Sequence, residues 1–160
     1  DAIGDGSDYG LKISYSIETE LLGTGGGIAN VIHLFKEPFI VLSGDVWTDF
    51  DFSNLKLEDN KLAHMVLIKN PISNKEGDVC FKDGIVFPKG EGPTFTYSGI
   101  SMLSPELFHS KKIDKFELWE KILFPTAKDG LVSGEIYDGL LDNLNSLEDA
   151  EKLDALLTEE

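Results

Sequence analysis

The sequence predicts an α/β domain built on a mainly parallel sheet flanked by helices, with a more antiparallel portion later in the chain. Three observations carry this. Strand-like and helix-like patterns alternate along the first half. The run Phe39-Ile40-Val41-Leu42 is apolar without interruption, as in a strand covered on both faces. Lys82-Asp83-Gly84 separates two short apolar segments, an Asp-Gly hairpin signal that belongs to antiparallel structure. With 160 residues and 41% apolar content, the chain holds enough material for one core, and a single domain over 1–160 is expected.

The elements follow in order. Residues 11–17 (LKISYSI) alternate apolar and polar side chains and read as a strand. Thr24-Gly25-Gly26-Gly27 opens a helix that sets Ile28, Val31, Ile32 and Phe35 on one face, and Pro38 ends it. Phe39–Leu42 is the buried strand, stopping at Ser43-Gly44-Asp45. A short helix over 52–57 has Asp51 as its cap, and residues 62–68 form the next strand. The hairpin pairs 78–81 with 85–87, and residues 95–103 add a further strand. Residues 116–127 form a helix with Phe116, Trp119, Ile122 and Leu123 at core spacing. Residues 132–136 are a strand, and 147–157 are a terminal helix with Leu147, Ala150, Leu153 and Leu157 facing inward.

Charge narrows the function. There are 29 acids, 14 lysines and no arginine, for a formal net charge of −15. That surface repels DNA, RNA and anionic membrane, which demand basic patches. If the substrates are phosphates, a divalent cation is the natural way to offset the repulsion. No run approaches the roughly 20 apolar residues that cross a bilayer. The single cysteine, Cys80, cannot form an internal disulfide, so a reducing, cytoplasmic setting is expected.

Two short motifs carry chemistry. In open α/β sheets the ligand sits beyond the carboxyl ends of the strands, which points at Ser43-Gly44-Asp45. Asp45 there is either a ligand for a hard cation or simply part of a turn. Gly25, Gly26 and Gly27 let backbone approach a base or a phosphate closely; alternatively they are a helix start capped by Thr24. Asp49-Phe50-Asp51 spells a competing D-x-D metal motif, placed by its distance from the strand end in a loop, with Asp51 as a helix cap. His33, His64 and His109 lack ligand spacing, Cys80 reads as a strand residue, and Trp47 and Trp119 read as packing.

Residues 20–28 (ELLGTGGGI) followed by 39–50 (FIVLSGDVWTDF) resemble the sugar-1-phosphate nucleotidyltransferases. Among them the chain is most similar to N-acetylmuramate-1-phosphate uridylyltransferases and mannose-1-phosphate guanylyltransferase-like proteins. Residues 4–7 (GDGS), 13–16 (ISYS), 95–100 (FTYSGI) and 132–135 (VSGE) are similar to further blocks, in order along nearly the whole chain. The resemblance implies a Rossmann-like, nucleotide-diphospho-sugar transferase-like fold. It implies transfer of a nucleotidyl group from UTP or GTP to a sugar 1-phosphate, releasing pyrophosphate, in nucleotide-sugar and cell-wall biosynthesis.

By the same resemblance, Asp45 is catalytic and binds Mg²⁺ together with Asp142. The backbone at Thr24, Gly25 and Gly26 contacts the nucleobase, and Ser98, Gly99 and Glu135 line the sugar-phosphate pocket. The family's second metal Asp lies in a Trp-x-Asp-x-Gly-Thr motif; here Leu140-Leu141-Asp142-Asn143-Leu144-Asn145 holds that place, and only Asp142 matches. The family's first strand and its Arg-containing, Gly-rich triphosphate loop have no counterpart. An N-terminally truncated domain is therefore expected, associating with a missing N-terminal segment or with itself through an exposed sheet edge. Two alternatives are a non-catalytic sugar-nucleotide-binding module or inactive fragment, and a metal-dependent glycosyltransferase using Asp49 and Asp51.

Overall fold

Along β3 (Ala63–Ile68), Ala63, Met65 and Leu67 alternate with Val66, and the two sets enter two different apolar layers. All four are fully buried, so β3 is the strand covered on both faces. The computed structural model describes residues 3–158; residues 1, 2, 159 and 160 of the expected span 1–160 lie outside the described residues.

A six-stranded sheet surrounds β3. It contains β1 (Phe39–Leu42), β4 (Val79–Lys82), β5 (Ile85–Pro88), β6 (Thr94–Leu103) and β7 (Val132–Ile136), in the order β1-β6-β3-β7-β5-β4. A separate two-stranded ribbon pairs β2 (Val46–Thr48) with β8 (Leu141–Asn143). One layer gathers Met65, Leu103, Phe108, Ile122, Leu123 and Ala127 beneath α1 (Gly23–Val31) and the helical stretch through α2 (Phe124–Lys128). The other packs Val66 and Ile100 against Leu55, Phe50, Tyr137 and Leu141. Each fully buried aliphatic side chain contributes about 1.5–3 kcal/mol of transfer free energy.

The α/β class is as predicted, but the sheet is not mainly parallel. Only β3–β7 is a parallel pair among the described residues. β1 and β3 do run the same way, yet β6 lies between them, antiparallel to both. A strand arriving from later in the chain thus took the central place, and no local pattern records that. β1 is consequently an edge strand rather than one buried on both faces: Ile40 and Leu42 are 42% and 48% exposed, and β1 pairs with β6 alone.

Other elements differ for local reasons. Residues 11–17 form no strand; Tyr15 and Ile17 are largely exposed, because alternation marks faces while a strand also needs a partner ladder. The helix expected over 52–57 is a 3-10 turn, Phe52–Asn54, capped by Asp51. The helix expected over 116–127 begins later, with a π-helical turn at Trp119–Leu123 that passes into α2. Pro125 lacks the N–H an α-helix needs there, and the Phe124 N–H reaches back five residues to the Trp119 carbonyl. Asp83 and Gly84 adopt positive φ (51° and 80°), the two-residue turn the hairpin requires. In α3 (Leu147–Thr158), Ser146 and Asp149 form a reciprocal cap at 2.7 and 3.2 Å. Of its four leucine and alanine positions expected inward, only Leu153 is buried; Leu147 and Leu157 are exposed.

Candidate active site

The carboxyl end of β1 opens into a cavity of about 880 Å³, within the usual range for small-molecule sites. Its floor and walls are apolar, from Ile28, Val41, Met65, Val79, Trp119 and Leu123. The polar side chains on it are Thr24, Ser43, Asp45, Asp78 and Tyr97. No lysine lines it, so its only formal charges are two carboxylates.

Asp45 is exposed on this cavity, and its carboxylate accepts no hydrogen bond from the described residues. Only its main chain is engaged: the Leu144 N–H donates to the Asp45 carbonyl at 2.7 Å. That bond extends the β2–β8 ladder, in which Trp47 faces Asp142. Asp45 sits in the turn immediately before this ribbon, and Asp142 lies within it, opposite Trp47. Asp142 itself is exposed and lies outside the cavity lining. An open carboxylate at the start of the ribbon and another within it suit a hard cation that takes one or two protein oxygens and completes its shell with water and phosphate. Among the described residues, no group of three or more His, Cys, Asp and Glu side chains converges as a metal cage.

The glycine run answers first to the chain's own packing. The N–H groups of Gly25 and Gly26 both donate to the Phe116 carbonyl, at 3.0 and 3.1 Å. A Cβ at Gly25 would stand 2.4 Å from the Phe116 ring, and one at Gly26 only 2.2 Å from the Asp114 carbonyl oxygen. Thr24 ties the same seam. Its hydroxyl donates to Glu117 at 3.0 Å and accepts from the Leu118 N–H at 2.9 Å. Thr24 thus reaches the cavity, whereas Gly25 and Gly26 lie buried beneath it.

No protein-family model matches the chain. It is, however, 36% identical over 149 residues to the N-acetylmuramate alpha-1-phosphate uridylyltransferase of Neisseria meningitidis serogroup B, covering 88% of the chain. It is also 31% identical over 123 residues, 72% of its length, to the D-glycero-alpha-D-manno-heptose 1-phosphate guanylyltransferase of Campylobacter jejuni. By sequence, this chain is similar to sugar-1-phosphate nucleotidyltransferases over most of its length. It spans 64% of the first of these relatives and 52% of the second. The fold agrees with two solved structures. HddC from Yersinia pseudotuberculosis superposes with a TM-score of 0.71 at 21% identity, over 91% of this chain and 67% of that one. A putative glucose-1-phosphate thymidylyltransferase from Bacillus anthracis gives 0.73 at 16%, over 96% and 68%.

Within this nucleotidyltransferase-like frame, several residues expected at the site stand elsewhere. Ser98 is 2% exposed, and its hydroxyl accepts the Ile100 N–H at 3.2 Å. Gly99, at φ +85°, lets β6 pass the Ser43 side chain, which a Cβ would meet at 2.7 Å. Neither lines the cavity. Glu135 also lies outside it, 3.3 Å from His64 Nε2, while His64 Nδ1 bonds the buried Ser133 hydroxyl at 2.9 Å. His64 is therefore part of a polar tie between β3 and β7. His33 and His109 are exposed, and Cys80 is buried in β4.

The D-x-D acids are occupied. Asp49 accepts from the Tyr137 hydroxyl and from the Leu140 N–H (2.9 Å), and Thr48 donates to the Leu140 carbonyl at 2.9 Å. The proton donated by Tyr137 holds the Asp49 carboxyl below its ordinary range. Asp51 accepts from the Ser53 N–H and the Asn54 amide, at 3.0 and 2.7 Å. These acids clamp the ribbon and cap a turn, and neither lines the cavity. Sequence reasoning missed Asp78 and Tyr97 and took Trp119 only as packing. The one local signal was Gly77-Asp78 just before a strand, a pattern shared by many ordinary turns.

Proposed function

We propose that this chain forms the cation- and acceptor-binding side of an enzyme that joins a nucleoside triphosphate, UTP or GTP, to a sugar 1-phosphate. An acceptor phosphate oxygen bonds to the α-phosphorus, the bond to the β-phosphate bridging oxygen breaks, and pyrophosphate leaves. The observation that carries the reading is Asp45: among the described residues, a carboxylate without a hydrogen-bond donor, at a strand end, in a cavity without a cationic side chain. Two anionic reactants cannot meet beside it unless a cation is bound.

The donor set fits a hard divalent cation such as Mg²⁺, with Asp45 and Asp142 as its protein ligands. Such an ion, when bound, supplies charge neutralisation. The chain's own residues position the reactants. The seam from Thr24 to Phe116 fixes the start of α1 at the cavity mouth, and the Asp49–Tyr137 clamp holds the ribbon that follows Asp45 and carries Asp142. Water exclusion falls to the apolar wall of Val41, Val79 and Trp119. The single buried Cys80 suits a reducing cytoplasmic setting, and no helix among the described residues is long and apolar enough to cross a membrane.

The test is Asp45→Asn, which keeps size and removes charge. In the full-length protein, pyrophosphate release from a triphosphate and a hexose 1-phosphate should fall about 1,000-fold or more, and Mn²⁺ binding followed by electron paramagnetic resonance should weaken in parallel. Turnover and Mn²⁺ binding that ignore the substitution would refute the reading.

A further inference from the structure

Asp78 faces the same cavity as Asp45, but its chemistry is opposite. Its carboxylate is pinned at both oxygens: Asn74 Nδ2 donates to Oδ1 at 2.9 Å, and the Tyr97 N–H donates to Oδ2 at 2.9 Å. The scaffold behind it is itself tied. Asn74 reaches the Thr96 hydroxyl at 3.2 Å, Thr96 donates to Asn70 Oδ1 at 3.0 Å, and Asn70 donates to the Thr94 hydroxyl at 2.9 Å. Gly77 seals the arrangement. At φ +63° it presses against the Asn70 amide, where a Cβ would meet Oδ1 at 2.6 Å. An ionised carboxylate offers about four lone-pair sites, so roughly two remain open on this cavity-lining residue.

The other polar groups on the wall are mostly committed. The Tyr97 hydroxyl donates to Ser101 at 2.9 Å, and the Thr24 hydroxyl is engaged on both sides. What remains for a ligand is the open Asp45 with its neighbour Ser43, and the fixed acceptor Asp78. A phosphate has only acceptor oxygens and negative charge, so Asp78 repels it; a sugar hydroxyl has a proton to donate, so Asp78 attracts it.

Resting on the function proposed above, we infer that Asp78 orients and selects the acceptor: it accepts a hydrogen bond from a hydroxyl of a pyranose ring whose 1-phosphate lies toward Asp45. The pinned geometry makes it a selector, because a rigid acceptor discriminates a hydroxyl in one position from the same hydroxyl in another. Asp78→Asn tests this, since the amide keeps one oxygen for the Tyr97 N–H and loses the charge. It is assayed against a panel of hexose 1-phosphates and their monodeoxy analogues.

The expected result is a roughly 10- to 100-fold loss of kcat/KM for the acceptor. The KM for the triphosphate should stay within about twofold, which also certifies the fold. One deoxy analogue should lose its disadvantage in the variant, a non-additivity that mere structural support would not produce. Asn74→Ala, which frees the carboxylate without removing it, should give a smaller loss of the same kind. If the unaltered full-length protein turns over a sugar 1-phosphate while Asp78→Asn leaves acceptor kcat/KM unchanged, or every deoxy penalty stays additive, the inference falls alone. If the full-length protein turns over no sugar 1-phosphate, the parent reading falls and takes this one with it.

Discussion

Replacing Gly26 by Ala sets two effects of known size against each other. Inside a helix the change should stabilise by about 1 kcal/mol, because alanine loses less backbone freedom on folding. Against this, the new methyl would stand 2.2 Å from the Asp114 carbonyl oxygen and 3.0 Å from Leu22 Cβ. An ordinary carbon–oxygen contact is about 3.3 Å, so the backbone must move by roughly 1 Å. That movement strains the two bonds from Gly25 and Gly26 to the Phe116 carbonyl, each with a net contribution of about 1 kcal/mol. Overpacking of a rigid site adds about 1–3 kcal/mol. The net expectation for Gly26→Ala is a loss of about 2–4 kcal/mol. Gly27→Ala is the internal control. There the methyl meets Glu18 Oε1 at 2.7 Å, the tip of an exposed side chain whose other oxygen accepts the Leu22 N–H at 2.8 Å; even if that exposed bond is given up, the helix gain offsets it, so stability should change by less than about 1 kcal/mol. Urea unfolding followed by circular dichroism, with m-values compared, measures both. A Gly26→Ala protein as stable as the parent, or a Gly27→Ala protein less stable than Gly26→Ala, would refute the packing account of the glycine run.

Two predictions concern protons. Because the Tyr137 hydroxyl depresses the Asp49 carboxyl, folding gains from its ionised form above the unfolded value near 4, and that gain is lost as pH falls through the lower folded value. Asp49→Asn should flatten that acid limb of a melting-temperature profile taken between roughly pH 2 and 5; an unchanged limb would contradict the clamp. Burial pushes the Tyr97 phenol up to about 12, with the bond to Ser101 opposing it. Its stabilisation is complete below the ordinary value near 10 and is lost as pH rises toward the folded value. An absorbance titration of the unaltered protein against Tyr97→Phe should therefore show that Tyr97 ionises last. Tyr97→Phe should also cost about 1 kcal/mol by leaving the buried Ser101 hydroxyl without its donor. Ionisation of Tyr97 together with exposed tyrosines would overturn this.

Local chemistry made much of the fold legible. The Asp83-Gly84 turn, the long strand ending at Leu103 and the Asp51 cap all form where their residues demand it. The pattern failed where a second segment was needed. Residues 11–17 alternate correctly and make no strand, because nothing pairs with them; β2 and β8, three residues each, are too short to announce themselves, yet pair with each other. The strand-end rule pointed to Asp45, and Asp45 lines the cavity. The glycine run was equally visible, but its reason, the Phe116 ring and the Asp114 backbone pressed against it, lies some 90 residues along the chain.

The sequence by itself determined the succession of elements, the turn types, the acidic balance and the carboxylate at the tip of β1, since each depends on residues a few places apart. Only the tertiary structure decided that β6 separates β1 from β3, that the strand carrying Asp142 pairs with the segment just after Asp45, and that Asn74 and Tyr97 hold Asp78 on the cavity that Asp45 lines. Lateral strand order and side-chain convergence follow from which distant surfaces bury most and satisfy their hydrogen bonds together, and that sum is taken over the whole chain at once.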